Sequence, residues 1–116
     1  MNRVKRRTTN LSAKEKAERR LFSKTMANLR VNYGATQKEV ADSAGLPYFT
    51  TVSQFEASAV KLPFDRVEGY ARAMGLDPLR LARTALRVYE PELFKIVFGV
   101  STVESELEEL TKSQKL

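Results

Sequence analysis

The chain of 116 residues contains no cysteine and no histidine. Without thiols there is no disulfide and no thiolate metal site. Without imidazole the commonest metal ligand and the commonest general base are both missing. No glycine-rich phosphate loop is present, and the acids form no obvious pair on one helix face outside a Glu-rich C-terminal stretch. Neither an enzymatic function nor a metal or cofactor is therefore expected. Long apolar runs are also absent. A membrane-spanning helix needs roughly 18–20 consecutive apolar residues. The N-terminus lacks the apolar middle of a signal peptide. The sequence thus predicts no membrane partner and no secretion, and a cytoplasmic, nucleoid location is compatible with it.

Positive charge is abundant but unevenly placed. The formal net charge is +6, with a pI near 9.8. Residues 1–30 hold ten Lys or Arg against two acids, while the rest of the chain is close to neutral. Such a patch holds phosphates by counterion release, independent of base sequence; a solubilising tail is the plainer alternative. The length fits one domain with an appended arm or tail. Residues 1–11, MNRVKRRTTNL, are polar, basic and aperiodic, which predicts a flexible arm. Arg3, Lys5, Arg6 and Arg7 are its cations, placed to reach around or into a nucleic-acid groove.

Ser12 and Glu15 have the spacing of a capping box, in which each side chain accepts the other's backbone N–H. A long helix is predicted from there to about Asn32, stopped by Gly34. Ala17, Leu21, Phe22, Thr25, Met26 and Leu29 recur at three and four, one apolar stripe. Lys14, Lys16, Glu18, Arg19, Arg20 and Lys24 lie mostly around the other side.

The central stretch is TQKEVADSAGLPYFTTVSQFE, residues 36–56. Thr36 and Glu39 form a second capping box. Val40 and Ala41 face inward on a short helix that Gly45 ends, since glycine tolerates a left-handed stop. A second short helix starts at about Phe49 or Thr50, with Val52 and Phe55 inside. Two short helices meeting at a tight glycine turn make a helix-turn-helix. With Val52 and Phe55 inward, a 100° step turns Thr50 and Gln54 outward, and Thr51 and Ser53 flank them. The segment has no Lys or Arg, so base reading would rest on Gln54, whose amide pairs with adenine, and on the hydroxyls. Tyr48 and Phe49 are adjacent aromatics in the turn. One is expected to pack between helices, the other to touch a sugar or a thymine methyl.

Thr36, Gln37, Glu39, Val40, Ala41, Ala44, Gly45 and Leu46, followed by Val52 to Glu56, resemble phage-repressor-like DNA-binding proteins of the Cro/cI and Xre type. The resemblance runs from about Leu29 to about Ala82. Val52 and Glu56 fall one residue later than that family's common pattern, so the turn or the start of the second helix carries an extra residue. The resemblance implies an all-α, lambda-repressor-like five-helix domain with a helix-turn-helix over residues 12–89. It also implies double-stranded DNA as partner, with a phosphate contact from Gln37, while Lys38, Tyr48 and Lys61 in the following loop are further phosphate candidates on their own side chains. Arg30 matches an arginine at the end of the family's first helix. A phosphate contact, a plain surface arginine and a pair with Glu56, which is structural in that family, all stay open for it.

Downstream, Pro63, Phe64 and Asp65 start a helix to Met74, with Phe64, Val67, Tyr70, Ala71 and Met74 inward. Asp77 caps the next, with Pro78 in its first position. Leu79, Leu81, Ala82, Ala85, Leu86 and Tyr89 would pack it. Arg80, Arg83 and Arg87 line another face, a second phosphate surface or a solvated one. Residues 90–116 form a C-terminal helical extension. Pro91 begins a nearly continuous apolar segment to Phe98, and Ser101 with Glu104 suggests a third capping box. Phe94, Val97, Val100, Val103, Leu107 and Leu110 are the candidate dimerisation residues, the last four at heptad-like spacing; folding back on the chain's own core is the alternative.

The expectation is a sequence-specific transcriptional regulator, a repressor, acting as a homodimer on a palindromic operator. Two alternatives remain: a protein-interaction module on the same scaffold, an anti-activator or antitoxin that binds another regulatory protein, and a non-specific nucleoid-associated protein.

Overall fold

Ser12 starts the first helix through the reciprocal cap its spacing calls for. Its hydroxyl accepts from the Glu15 N–H at 3.0 Å, and the Glu15 carboxylate accepts from the Ser12 N–H at 2.8 Å. The computed structural model describes residues 10–116. The arm cations Arg3, Lys5, Arg6 and Arg7 lie outside the described residues. Helix α1 is Ala13–Tyr33, closed by Gly34. Helix α2, Gln37–Ala44, carries the second reciprocal box, with Thr36 and Glu39 at 2.8 and 3.0 Å. Gly45, at φ 70°, ends it, a left-handed conformation that suits glycine. After a five-residue turn comes α3, Thr50–Glu56. A 3-10 turn at Phe64–Arg66 leads into α4, Val67–Ala73. Helix α5 is Pro78–Tyr89, with Asp77 accepting from the Leu79 N–H. Helices α6, Pro91–Phe98, and α7, Val103–Lys112, follow. All regular elements among the described residues are helical, and none is long and apolar enough to cross a membrane.

One core joins them. Phe22 of α1 meets Phe55 of α3 and Tyr89 of α5 edge-on, at 5.5 and 5.8 Å between ring centroids, and Phe55 meets Tyr70 of α4 at 5.9 Å. Edge-to-face pairs of this kind contribute about 0.5–1.5 kcal/mol each beyond burial. The Tyr89 hydroxyl accepts from the Leu62 N–H at 3.0 Å, which fixes the loop after α3. Burial pushes the Tyr89 phenol up to about 12, against the opposing pull of that hydrogen bond and of Arg19. Helix α4 approaches α2 so closely that a Cβ on Gly69 would lie 2.5 Å from the Ala44 Cα. The Ser43 hydroxyl donates to the Gly69 carbonyl across the same contact.

The C-terminal segment differs from the expected dimerisation seam. Val103, Leu107 and Leu110 are buried in the same core as Phe22 and Leu81. Phe94 is buried too, whereas Val97 and Val100 are exposed. The physical reason is that α7 covers flanks of α1 and α5 that a five-helix core would leave bare. Val103, Leu107 and Leu110 of the expected seam therefore face inward, not toward a partner. Gln114 then donates to the carbonyls of Leu29 and Met74, at 2.8 and 2.9 Å, tying the chain's end to α1 and α4.

Thr102, not Ser101, caps α7, accepting from the Ser105 N–H at 3.0 Å. Starting α7 at Val103 turns Glu106 inward with the apolar stripe. The Ser101 hydroxyl instead donates to the Glu106 carboxylate at 2.7 Å. Arg80, Arg83 and Arg87 form neither a free phosphate surface nor a merely solvated one. Arg83 grips Glu106 with two hydrogen bonds, Arg87 donates to the Ser101 carbonyl, and Arg80 lies 3.8 Å from Glu109. The Arg83 guanidinium also covers the rings of Phe94 and Phe98. Burial raises the Glu106 carboxyl, but the hydrogen bonds from Arg83 and Ser101, with the charges of Arg83 and Arg80, more than offset this and hold it below the ordinary range. Ala17, Leu21, Phe64 and Leu79, expected inside, lie at the surface. Ser23 takes an inward place in α1 instead.

Candidate nucleic-acid interface

Helix α3 is anchored by Val52 and Phe55, both buried, and the half-turn geometry then sets its outer face. Thr50 and Gln54 are exposed, with Thr51 and Ser53 half-buried beside them. The C-terminal segment packs elsewhere and leaves this face open. Among the described residues the Gln54 amide has no hydrogen-bond partner, so its donor pair and acceptor are free. Ser53 is less available, because its hydroxyl proton goes to the Thr50 carbonyl at 2.9 Å.

The turn Gly45–Phe49 places both of its aromatics outside. Tyr48 is 70% exposed and Phe49 50%, so neither packs between the helices as expected for one of them. Leu46 takes the inward place, and Phe22, Phe55 and Tyr70 already fill the centre. The Tyr48 hydroxyl has no partner among the described residues and is open to solvent.

Arg30 is not a free phosphate ligand. Its Nε and Nη2 donate to the two Glu56 oxygens at 2.7 and 3.0 Å, and its Nη1 donates to the Ala35 carbonyl at 3.0 Å. The hydrogen bonds to Glu56 raise the Arg30 guanidinium further, burial opposes them, and the Glu56 charge adds to the rise. Gln37 also donates to Glu56, at 3.0 Å. This cluster joins the end of α1, the start of α2 and the end of α3. It engages one donor of the Gln37 amide and leaves its carbonyl oxygen open.

The N-terminus of α2 remains outward. The capping box uses the Glu39 N–H, while the N–H groups of Gln37 and Lys38 precede the first intrahelical acceptor. Lys38 is exposed but already 3.0 Å from Asp42. A shallow groove runs from Arg30 and Thr36 past Gln37 and Lys38 to Phe49, so the start of α2 and the start of α3 share one surface. Lys61 lies beyond the other end of α3, exposed, with its ammonium 5.1 Å from the centre of the Tyr89 ring.

The sequence reading missed the Arg83–Glu106 clamp, the Gln114 tie and the Gly69 contact. Only Gly69 carried a sequence signal, a glycine inside an otherwise continuous helical stripe. The chain matches no family model, no curated protein and no solved structure.

Proposed function

We propose that this chain is a sequence-specific regulator of transcription, a repressor that binds double-stranded DNA as a homodimer on a palindromic operator. On this reading α2, the turn and α3 are the helix-turn-helix of a lambda-repressor-like domain, elaborated by α6 and α7. The observation that carries it is the open outer face of α3, where Thr50 and an unpartnered Gln54 project from a helix anchored by Val52 and Phe55. A helix without Lys or Arg suits a major groove when charges on neighbouring elements hold the phosphates. Gln54 reads adenine, and the threonines supply more tolerant contacts. The N-terminal half-turn of α2 is disposed toward a phosphate through its open N–H groups and dipole.

On this reading the dimer surface is α6 and the residues just after it. Leu93, Ile96, Val97 and Val100 are exposed together, Ile96 by 81% and Val100 by 89%. An apolar patch of this kind marks an association surface, and a two-fold pair presents the same patch twice. A palindromic operator requires such a pair to set its two α3 helices one DNA turn apart, about 34 Å.

The test is selection of bound duplexes from random DNA, followed by titration of the selected site and a scrambled control at matched salt. Gln54→Ala is expected to lose most of the preference for the selected site while non-specific binding holds. Equal weakening on both duplexes would remove Gln54 from base reading. A second reading, a module that binds another regulatory protein, is favoured by the exposure of Tyr48 and Phe49 beside α3, which carries no Lys or Arg. It predicts that Tyr48→Ala with Phe49→Ala abolishes capture of a protein partner and leaves DNA binding unchanged.

A further inference from the structure

A concavity of about 420 Å³ lies between the first half of α1 and the loop that follows α3. Lys16, Arg19 and Arg20 line it from α1, and Lys61 lines it from the loop, together with residues 57–60. No carboxylate lines it. Among the described residues none of these four cations takes part in an ion pair, although other arginines of the fold do. Tyr89 forms part of the wall. The Arg19 guanidinium and the Lys61 ammonium each sit 5.1 Å from the centre of its ring, so the two charges are at most about 10 Å apart. The Arg19 Nε is buried without a hydrogen-bond partner.

Four like charges gathered without a counter-charge repel one another, and an anion relieves that repulsion while satisfying the open donors. The loop is held in place for such a role. The Ser58 N–H donates to the Phe55 carbonyl and the Ala59 N–H to the Gln54 carbonyl, each at 2.8 Å. The concavity is thus hinged on the same residue whose side chain faces outward on α3. This arrangement turns part of the basic first third of the chain into a built site rather than a diffuse patch.

We propose that this concavity binds a phosphate group, supplied by the backbone of duplex DNA on the flank of the stretch that α3 faces. The phosphate sits against Arg19 and Lys61, with Lys16 and Arg20 at the rim. The choice of DNA as the source rests on the function proposed above; the anion chemistry stands on the geometry alone.

The experiment has two arms, both with the full chain. Inorganic phosphate is titrated while backbone amide resonances are followed by NMR. Shifts confined to residues 16–20 and 57–61 are expected, and they should vanish in Lys16→Gln/Arg20→Gln/Lys61→Gln, whose three sites are all exposed. Arg19→Gln should have the same effect, provided its melting temperature shows it folded. In the second arm, duplex binding is measured from low to high salt against a charge-matched control, Lys14→Gln/Lys24→Gln/Lys95→Gln. Each lost phosphate contact should make the slope of log K against log salt shallower by about 1 relative to that control. An absence of phosphate shifts overturns the site. Phosphate shifts with a salt slope equal to the control's overturn DNA as the source and assign the site to a free phosphorylated ligand. If the unaltered chain binds no duplex at low salt, the regulator reading fails, and the NMR arm still decides the site.

Discussion

Arg30, on the last turn of α1, and Glu56, the last residue of α3, are joined by two parallel hydrogen bonds of 2.7 and 3.0 Å. The pair is mostly shielded, at 16% and 12% side-chain exposure. It fixes where the end of α3 sits relative to the start of α2, because Gln37 donates to the same carboxylate. The outward aim of Gln54 therefore depends on residues that do not themselves face a partner. Breaking one side of the pair leaves a partly buried charge without its partner. Arg30→Met and Glu56→Gln are each expected to cost about 1–3 kcal/mol in urea denaturation. Gln37→Ala should cost less, since the Arg30 contact survives. Losses near zero for both members would show the pair to be incidental.

Among the described residues Glu106 is the buried acid, and its carboxyl is held below the ordinary range. A carboxyl depressed by folding adds stability above its unfolded value, near 4.3, and that contribution is lost as pH falls through the lower folded value. Glu106→Gln should therefore be less stable than the parent chain at neutral pH. The gap should close on going from about pH 6 to about pH 3. Parallel thermal melts across that range measure it. A gap that stays constant with pH would show that the Arg83 contact, not the charge, carries the difference.

Much of the frame is legible because local rules and the final fold agree. Ser12 with Glu15, Thr36 with Glu39, and Asp77 with Pro78 each start a helix where their spacing places one. Val52 and Phe55 set the outward face of α3 for the same reason. The C-terminal third is harder to read. Segment 91–98 is apolar nearly all round, so periodicity cannot say that Phe94 goes in and Ile96 stays out. Arg83 and Glu106 are 23 residues apart, and each looks like surface charge until α7 docks. At the turn, Leu46 and the aromatics compete for one inward place, and an aromatic adds volume that a core already filled by Phe22, Phe55 and Tyr70 does not accept.

Gly69 tests the packing of α2 against α4. A methyl group there meets backbone atoms of Ser43 and Ala44 at 2.5 Å, and backbone cannot yield as a side-chain tip does. In an unconstrained helix, glycine to alanine would stabilise by about 0.5–1 kcal/mol. Here Gly69→Ala is expected to destabilise by about 1–3 kcal/mol, the usual range for overpacking. A melting temperature equal to or above the parent's would mean that the two helices separate more easily than their contact suggests.

The two faces of the C-terminal segment make opposite predictions. Ile96 and Val100 project into solvent from α6 and the residues just after it, whereas Leu110 of α7 is fully buried among the other helices. If α6 carries the dimer contact, Ile96→Glu with Val100→Glu should move the chain from dimer to monomer in analytical ultracentrifugation and leave the melting temperature of the monomer fold nearly unchanged. Operator affinity should fall with it, because two linked half-sites gain affinity that one alone does not have. Leu110→Ala should act the other way. It opens a cavity in the common core and costs about 2–5 kcal/mol of stability, while any folded fraction keeps its α6 surface and still pairs. Sedimentation of both variants at several concentrations separates the two effects. A double Glu variant that remains a dimer would place the association elsewhere, and a monomeric parent chain would remove the two-fold operator from the proposed mechanism.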